Sequence, residues 1–208
     1  SINAPQHQPA NPLRQHIAPV PLDKAYRLLN HGPTVLVSAA HGGQPNAMAA
    51  AWACALDFSP PKVTVVLDKA TRTRELVEAS GHFALQLPTV PQAAMTVGIG
   101  TDSAKTLPDK LQRHAVPLFD APALPDIAAE HNPPLVQGCA AWLVCRVIPE
   151  PHNQQTYDLF IGEVVGAWAD DRVFRNGHWE FDTAPDHLRT LHYVAGGQFY
   201  ATGQSIKV

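Results

Sequence analysis

Apolar positions fall in short runs along this chain, separated by clusters of proline, glycine and asparagine. TVLVSAA (Thr34–Ala40) is apolar nearly throughout and predicts a buried strand. The cluster His41-Gly42-Gly43-Gln44-Pro45 turns the chain, and NAMAAAWACAL (Asn46–Leu56) predicts the returning strand of a hairpin. KVTVVLD (Lys62–Asp68) and HFALQLP (His82–Pro88) read as further strands. Between them Thr71–Ser80 has helical spacing, with Thr71 as N-cap and Gly81 as the stop. Cys139–Ile148 and Tyr157–Trp168 predict a second hairpin, and Asn176-Gly177 between RVFR and HWEF predicts a tight two-residue turn. Leu22–Leu29 predicts a short amphipathic helix, and Pro91–Pro134 a series of short helical pieces and proline-broken loops. Strands outnumber helices, and few helices lie between strands. The pattern therefore predicts a mainly β chain, an antiparallel barrel with short helical excursions. Pro5, Pro9, Pro12 and Pro19 among polar residues make residues 1–20 an arm without regular structure, ahead of one domain over residues 21–208.

Composition narrows the function classes. The chain has 208 residues, 45% hydrophobic and 16% charged, which is enough apolar material for a core and excludes a disordered chain. Fifteen Lys and Arg against eighteen Asp and Glu give a net charge of −3, and no basic stripe is present, so a nucleic-acid partner is not expected. Apolar runs fall far short of the roughly 20 residues that span a bilayer, and residues 1–20 lack a signal-peptide core. A cytoplasmic protein, off the membrane, is the expectation. Cys54, Cys139 and Cys145 form no C-x-x-C pair and are expected to be reduced, buried core thiols. Eleven histidines show no H-E-x-x-H or H-x-H spacing, and His187 and His192 do not share a helix face, so no metal is expected. G-x-S-x-G and phosphate-loop motifs are missing, and Gly98-Ile99-Gly100 is only a bare G-x-G, so hydrolase and nucleoside-triphosphatase chemistry have no support.

Two segments suggest a ligand. If Thr71 caps a helix, Arg72, Thr73 and Arg74 occupy its first turn, where positive side chains oppose the helix dipole and Glu75 offsets only part of the conflict. A phosphate there would meet free amides, hydroxyls and guanidinium together; salt-bridged arginines on a solvated helix start would also satisfy the pattern. The alanine-rich strand after the Gly-Gly turn either lets a flat ligand approach the backbone or packs a narrow barrel. The C-terminal LHYVAGGQFYATG (Leu191–Gly203) packs on the barrel or on a second subunit.

Taken in order, PNAMAAAW, SPPKVTVVLDKATRTRELVEASGHFALQLP, DLFIGEVV and VAGGQFYATG resemble the flavin reductase-like FMN-binding proteins, which have a split β-barrel fold, over residues 19–203. The resemblance implies that Asn46, Ala47, Met48, Ala49, Ala50 and Ala51 line the isoalloxazine ring, and that Lys69, Thr71, Arg72 and Thr73 form the phosphate turn. It places Phe83 and Ala84 near the flavin and Gly196 to Tyr200 near the site or a dimer contact. It further implies FMN, with FAD as the alternative, NAD(P)H as hydride donor, and a homodimer that serves a flavin-dependent monooxygenase or another redox partner. The chain departs from the family pattern at one place. Thr156 and Tyr157 stand where many members carry an Asp-His pair on the nicotinamide side, which leaves Tyr157 or His152 to border the second substrate. The departure keeps open an FMN-binding electron carrier that does not use NAD(P)H. A third reading is a barrel without a redox role whose helix start binds another phosphate compound.

Overall fold

The computed structural model describes residues 15–208, so most of the proline-rich arm lies outside the described residues. The part of the arm within them is ordered. Ile17–Pro19 forms β1, which pairs antiparallel with Trp168–Asp170. The arm therefore ends inside the sheet, because pairing of its last residues overrides the proline-rich composition.

The main sheet contains β2 (Val35–His41), β3 (Gln44–Ala50), β4 (Ala53–Phe58), β5 (Pro61–Val66), β6 (His82–Gln86), β9 (Ala141–Ile148) and β10 (Leu159–Asp170). Its order is β3-β2-β6-β9-β10-β5-β4, antiparallel throughout, with β1 added along β10. The expectation of one strand over Asn46–Leu56 is corrected here. The chain bends at Ala51 and Trp52, and the strands on either side, consecutive in sequence, lie at opposite ends of the sheet. The result is a barrel open between β3 and β4, the split β-barrel that the resemblance implied.

Burial explains why some strands read as continuous apolar runs and others alternate. Six of the seven residues of β2 are buried. Val35, Val37 and Ala39 face the barrel interior with Val65, Phe83, Leu85, Leu143 and Phe160, while Leu36 packs in a second cluster with Ala84, Trp142 and Val144. That outer cluster is covered by Ile99 of α2 (Ala93–Thr101) and by the segment carrying β7 (Leu118–Asp120) and β8 (Pro134–Val136). A strand covered on both faces has no reason to alternate; β5, covered on one face, does so at every position. Each fully buried Leu or Phe contributes about 1.5–3 kcal/mol. Gln86 satisfies the polar demand between the layers: its amide donates to Leu36 O and Ser38 Oγ and accepts from the Val136 amide.

The remaining elements are short. Leu22–Leu28 is a 3-10 helix with Ala25 and Leu28 buried, and α1 (Arg72–Ser80) has the expected Thr71 cap and left-handed Gly81 stop. The short helix α3 (Lys110–Arg113) follows α2, and α4 (Pro151–Tyr157) bridges β9 and β10, so Tyr157 ends a helix and does not begin the strand. β11 (Phe174–Arg175) and β12 (His178–Trp179) flank Asn176 and Gly177, both at positive φ as a two-residue hairpin requires. β13 (Leu191–Ala195) and β14 (Gln198–Ala201) form a C-terminal hairpin. Cys139 and Cys145 are buried, whereas Cys54 on the edge strand β4 is exposed, against the expectation of three core thiols.

Candidate functional site

A cleft runs along the open edge of β3. Among the described residues β3 pairs only with β2, so alternate amides and carbonyls on its outer side have no strand partner there and face the space left by its small side chains. The cleft has two halves of about 260 and 280 Å³ that share Gly100 and Thr101 at the end of α2. A Cβ on Gly100 would stand 3.1 Å from that of Ala49, closer than side chains normally approach, so glycine lets α2 lie against β3.

The first half is apolar. Ala49, Ala50 and Ala51 line one wall, and Tyr193, Gly197 and Phe199 of the C-terminal hairpin line another. The hairpin is fastened by Thr34, whose hydroxyl accepts the Tyr193 amide at 2.8 Å and whose own amide donates to Leu191 O at 2.8 Å. The Tyr193 and Phe199 rings stand 5.2 Å apart, edge to face.

The second half is polar and centres on the start of α1, with Asn46, Met48, Thr71, Arg72 and Thr73 in its walls. Thr71 Oγ1 accepts from the Arg74 amide at 3.3 Å and donates to Asp68 O at 2.8 Å. The first-turn amides of Arg72 and Thr73 have no acceptor within the helix. Asn46 Nδ2 donates to Thr73 Oγ1 at 3.0 Å, a buried bond that ties β3 to α1. The conflict between the two arginines and the helix dipole is largely resolved inside the protein. Arg74 turns inward to 3% exposure and bonds Glu78 at 2.6 Å, Asp158 at 2.5 Å and the carbonyls of Leu67 and Gln154. Arg72 alone stays at the cleft, where Glu75 bridges it at 2.8 Å to Lys105 at 2.7 Å. Those two cations, Lys105 first, hold the Glu75 carboxyl below its usual range.

Several expected residues lie elsewhere. Lys69 is exposed and pairs with Asp158 at 2.5 Å. Ala47 and Ala84 are fully buried in the outer cluster, and Phe83 fills the barrel interior under Gly162. His152 and Tyr157 sit on the exposed side of α4 with rings 5.8 Å apart and line neither half of the cleft. Conversely, Thr34, Thr101 and Lys110 border the cleft without having been expected. Thr34 opens a segment that reads only as a buried strand, and Thr101 and Lys110 lie in one that shows only loop or helix character.

The model for the flavin reductase like domain matches residues 27–199. The chain belongs to the flavin reductase-like family. This flavin reductase-like chain is 58% identical to the FMN-binding domain of a flavin reductases-like enzyme from Shewanella baltica, with a TM-score of 0.88 over 92% of this chain and 97% of that one. It is 40% identical to the Escherichia coli K12 protein YddH over 90% of this chain and 96% of that protein. A more distant relative, 27% identical over 76% of this chain and 79% of its own length, is the reductase component of a 4-nitrophenol and 4-nitrocatechol monooxygenase from Rhodococcus opacus. No helix among the described residues of the flavin reductase-like chain is long and apolar enough to cross a membrane.

Proposed function

We propose that this chain binds FMN in the cleft and serves as an NAD(P)H:flavin oxidoreductase. The observation that carries the reading is the two-part cleft. An apolar half walled by an alanine-rich strand edge adjoins a polar half built on the free amides of Arg72 and Thr73. A mononucleotide flavin has that division, a flat ring system at one end and a phosphate at the other. The residues fit the group: Thr71, Arg72 and Thr73 take the phosphate, and the edge of β3 from Asn46 to Ala51 takes the ring through backbone groups. When bound, the flavin supplies the hydride-accepting centre, so the protein needs no general base and contributes position, exclusion of water and charge. The FMN-binding domain named in the Shewanella relative and the reductase component named in the Rhodococcus relative both support this reading.

The same proposal includes a homodimer. Trp52, Leu56 and Phe58 are 75%, 52% and 62% exposed on the edge strand β4, which pairs on one side with β5, and at the bend leading into it, beside Ala51 of the cleft. Apolar side chains of this size on a sheet edge suit a second copy of the chain. Reduced flavin or its electrons then pass to a monooxygenase or another redox partner, and three unpaired cysteines suit a reducing cytoplasm.

The position of Tyr157 favours a second reading. It is 62% exposed on α4, away from the cleft, at the place where the family resemblance implies a histidine on the nicotinamide side. An FMN-binding electron carrier needs no nicotinamide site. An anaerobic visible spectrum with added FMN decides between them. Bleaching by NADH or NADPH is the expected result, whereas a bound flavin reduced only by dithionite makes the protein a carrier.

A further inference from the structure

The C-terminal hairpin walls the apolar half of the cleft with Tyr193, Gly197 and Phe199, and it is fastened to the barrel at its base. Besides Thr34, two histidines and two threonines do the fastening. His31 Nε2 meets Thr190 Oγ1 at 2.9 Å, Thr190 Oγ1 meets Thr202 Oγ1 at 2.6 Å, and Thr202 Oγ1 meets His192 Nε2 at 3.1 Å. His192 Nδ1 then returns to Gly32 O at 3.1 Å. One unbroken chain of hydrogen bonds leaves the loop before β2, crosses the bases of β13 and β14, and comes back to that loop.

The partners fix where the protons lie. Gly32 O only accepts, so His192 Nδ1 carries a hydrogen and the Nε2 of the neutral ring accepts. Thr202 therefore donates to His192, Thr190 to Thr202, and His31 Nε2 to Thr190. This order leaves His31 Nδ1 as a bare lone pair. That nitrogen is buried against Trp179 and Phe181 with no hydrogen-bond partner among the described residues. A lone pair tolerates such a place better than the N–H of a charged ring, and a second proton on His31 has nowhere else to go. A second proton on His192 turns its Nε2 into a donor and swings the Thr202 hydroxyl to Thr190 O at 3.3 Å. Only the neutral chain satisfies all four members.

We propose that this chain is an acid-sensitive latch on the cleft: while both histidines are neutral it holds the hairpin against residues 31–34, and proton uptake releases the hairpin together with the aromatic wall it carries. The effect on FMN rests on the flavin reading above; the latch itself acts on the cleft wall whatever the cleft holds. His192 on β13 is the group whose charge acts on His31, while Trp179 and Phe181 present rings and Thr190 a hydroxyl. His178 and Glu180 flank Trp179 along the chain. Arg189, next to Thr190, is turned to the carbonyls of Thr202 and Gly203 and to Asp186, and Asp182 is held by Ser205.

The sign and size follow from linkage. Burial first, and His192 second, lower the His31 pKa to about 4 in the latched protein. A released hairpin exposes both rings to water, where an imidazole takes its proton below about pH 6.5. Acid therefore favours release, by roughly ten- to thirtyfold between pH 7.5 and pH 5.

Native-state hydrogen exchange on the flavin-free protein tests the latch, with each rate divided by the intrinsic rate at the same pH. In wild type the Tyr193 and Thr34 amides should lose protection roughly ten- to thirtyfold from pH 7.5 to pH 5, and in His31→Gln less than about threefold. They should also exchange faster at pH 5 than the Leu143 and Val144 amides of β9. Protection that does not change with pH in wild type overturns the latch, and so does equal protection of hairpin and β9, since the hairpin would then open only with the whole barrel. If His31→Gln does not fold, imidazole nitrogen shifts of wild type decide: the hydrogen is expected on Nε2 of His31 and Nδ1 of His192. The opposite tautomers, or a His31 that titrates near pH 6.5 in the folded protein, overturn the chain. FMN at about a hundred times its dissociation constant should raise hairpin protection at pH 5 by up to about a hundredfold. FMN that binds without changing it overturns the tie between latch and cleft, whereas FMN that does not bind sinks the flavin reading and leaves the latch to the exchange result.

Discussion

Asn46 and Thr73, 27 residues apart, meet through one buried hydrogen bond of 3.0 Å from amide to hydroxyl. That bond joins the edge strand carrying the alanine wall to the first turn of the helix carrying the phosphate-facing amides. The two halves of the cleft therefore hold a fixed spacing, as a ligand with two chemically different ends requires. Replacing Asn46 with Ala leaves the Thr73 hydroxyl without its donor. The expected outcome is a loss of about 1–2 kcal/mol in stability and weaker FMN binding at unchanged riboflavin selectivity over unrelated ring compounds. Chemical denaturation and flavin titration check both.

The two arginines of α1 have different jobs. The pair Arg72→Ala and Thr73→Ala removes a guanidinium and a hydroxyl from the cleft, and FMN binding is expected to weaken by about 2–4 kcal/mol while the fold stays intact. An unchanged dissociation constant would place the phosphate elsewhere.

Arg74 is the structural counterpart. Its replacement by Met leaves Asp158 with Lys69 alone, unpairs Glu78 and removes a donor from the carbonyls of Leu67 and Gln154. About 3 kcal/mol of stability should be lost, read as a lower denaturation midpoint at unchanged slope. FMN titration of the folded fraction should match wild type.

Ala51 lines the apolar half, and it is exposed at the bend where neither β3 nor β4 includes it. Leu in its place projects into the ring space without entering the core. Flavin retention on purification should disappear, with the melting temperature shifted by less than about 2 °C. A large drop in melting temperature would instead make Ala51 a packing residue.

His31 links acid stability to the C-terminal hairpin. Its Nε2 bonds Thr190 Oγ1 at 2.9 Å, its Nδ1 is buried without a hydrogen-bond partner among the described residues, and Trp179, Phe181 and His192 surround the ring. Burial first, and His192 second, lower its pKa to about 4. The unfolded chain binds this proton below about pH 6.5 and the folded chain does not, so stability falls as pH drops from 6.5 toward 4, by about 3 kcal/mol at most. His31→Gln should flatten that dependence. Melting temperatures at pH 7.5 and pH 5 for both proteins provide the check.

The elements legible in the sequence are those whose signals are local. Thr71 and Gly81 bracket α1, Asn176-Gly177 forms its turn, and the unbroken apolar runs of β2, β6 and β9 reflect burial on both faces. What escaped depends on distant parts of the chain. No Gly or Pro marks the bend at Ala51 and Trp52, because what separates β3 from β4 is their pairing with different partners, β2 and β5. Phe83 and Ala84 look like site residues by position, but a strand between β2 and β9 has both faces in packed clusters. The two arginines of α1 look equivalent in sequence, and only the fold shows Asp158 and Glu78 reaching one of them. Lys110 carries no pattern at all, and only the fold shows it buried at the cleft.

The bend between β3 and β4 decides where this barrel tolerates a change of length. Each of the two strands takes its register from its own neighbour, so an extra residue at Ala51 or Trp52 shifts neither ladder and turns no side chain to the wrong face. The same insertion inside β3 would send Asn46 or Met48 to the opposite side of the sheet. Insertions at the bend therefore act on the width of the cleft mouth alone, making it the place where loop length can retune ligand size while the scaffold is left as it stands.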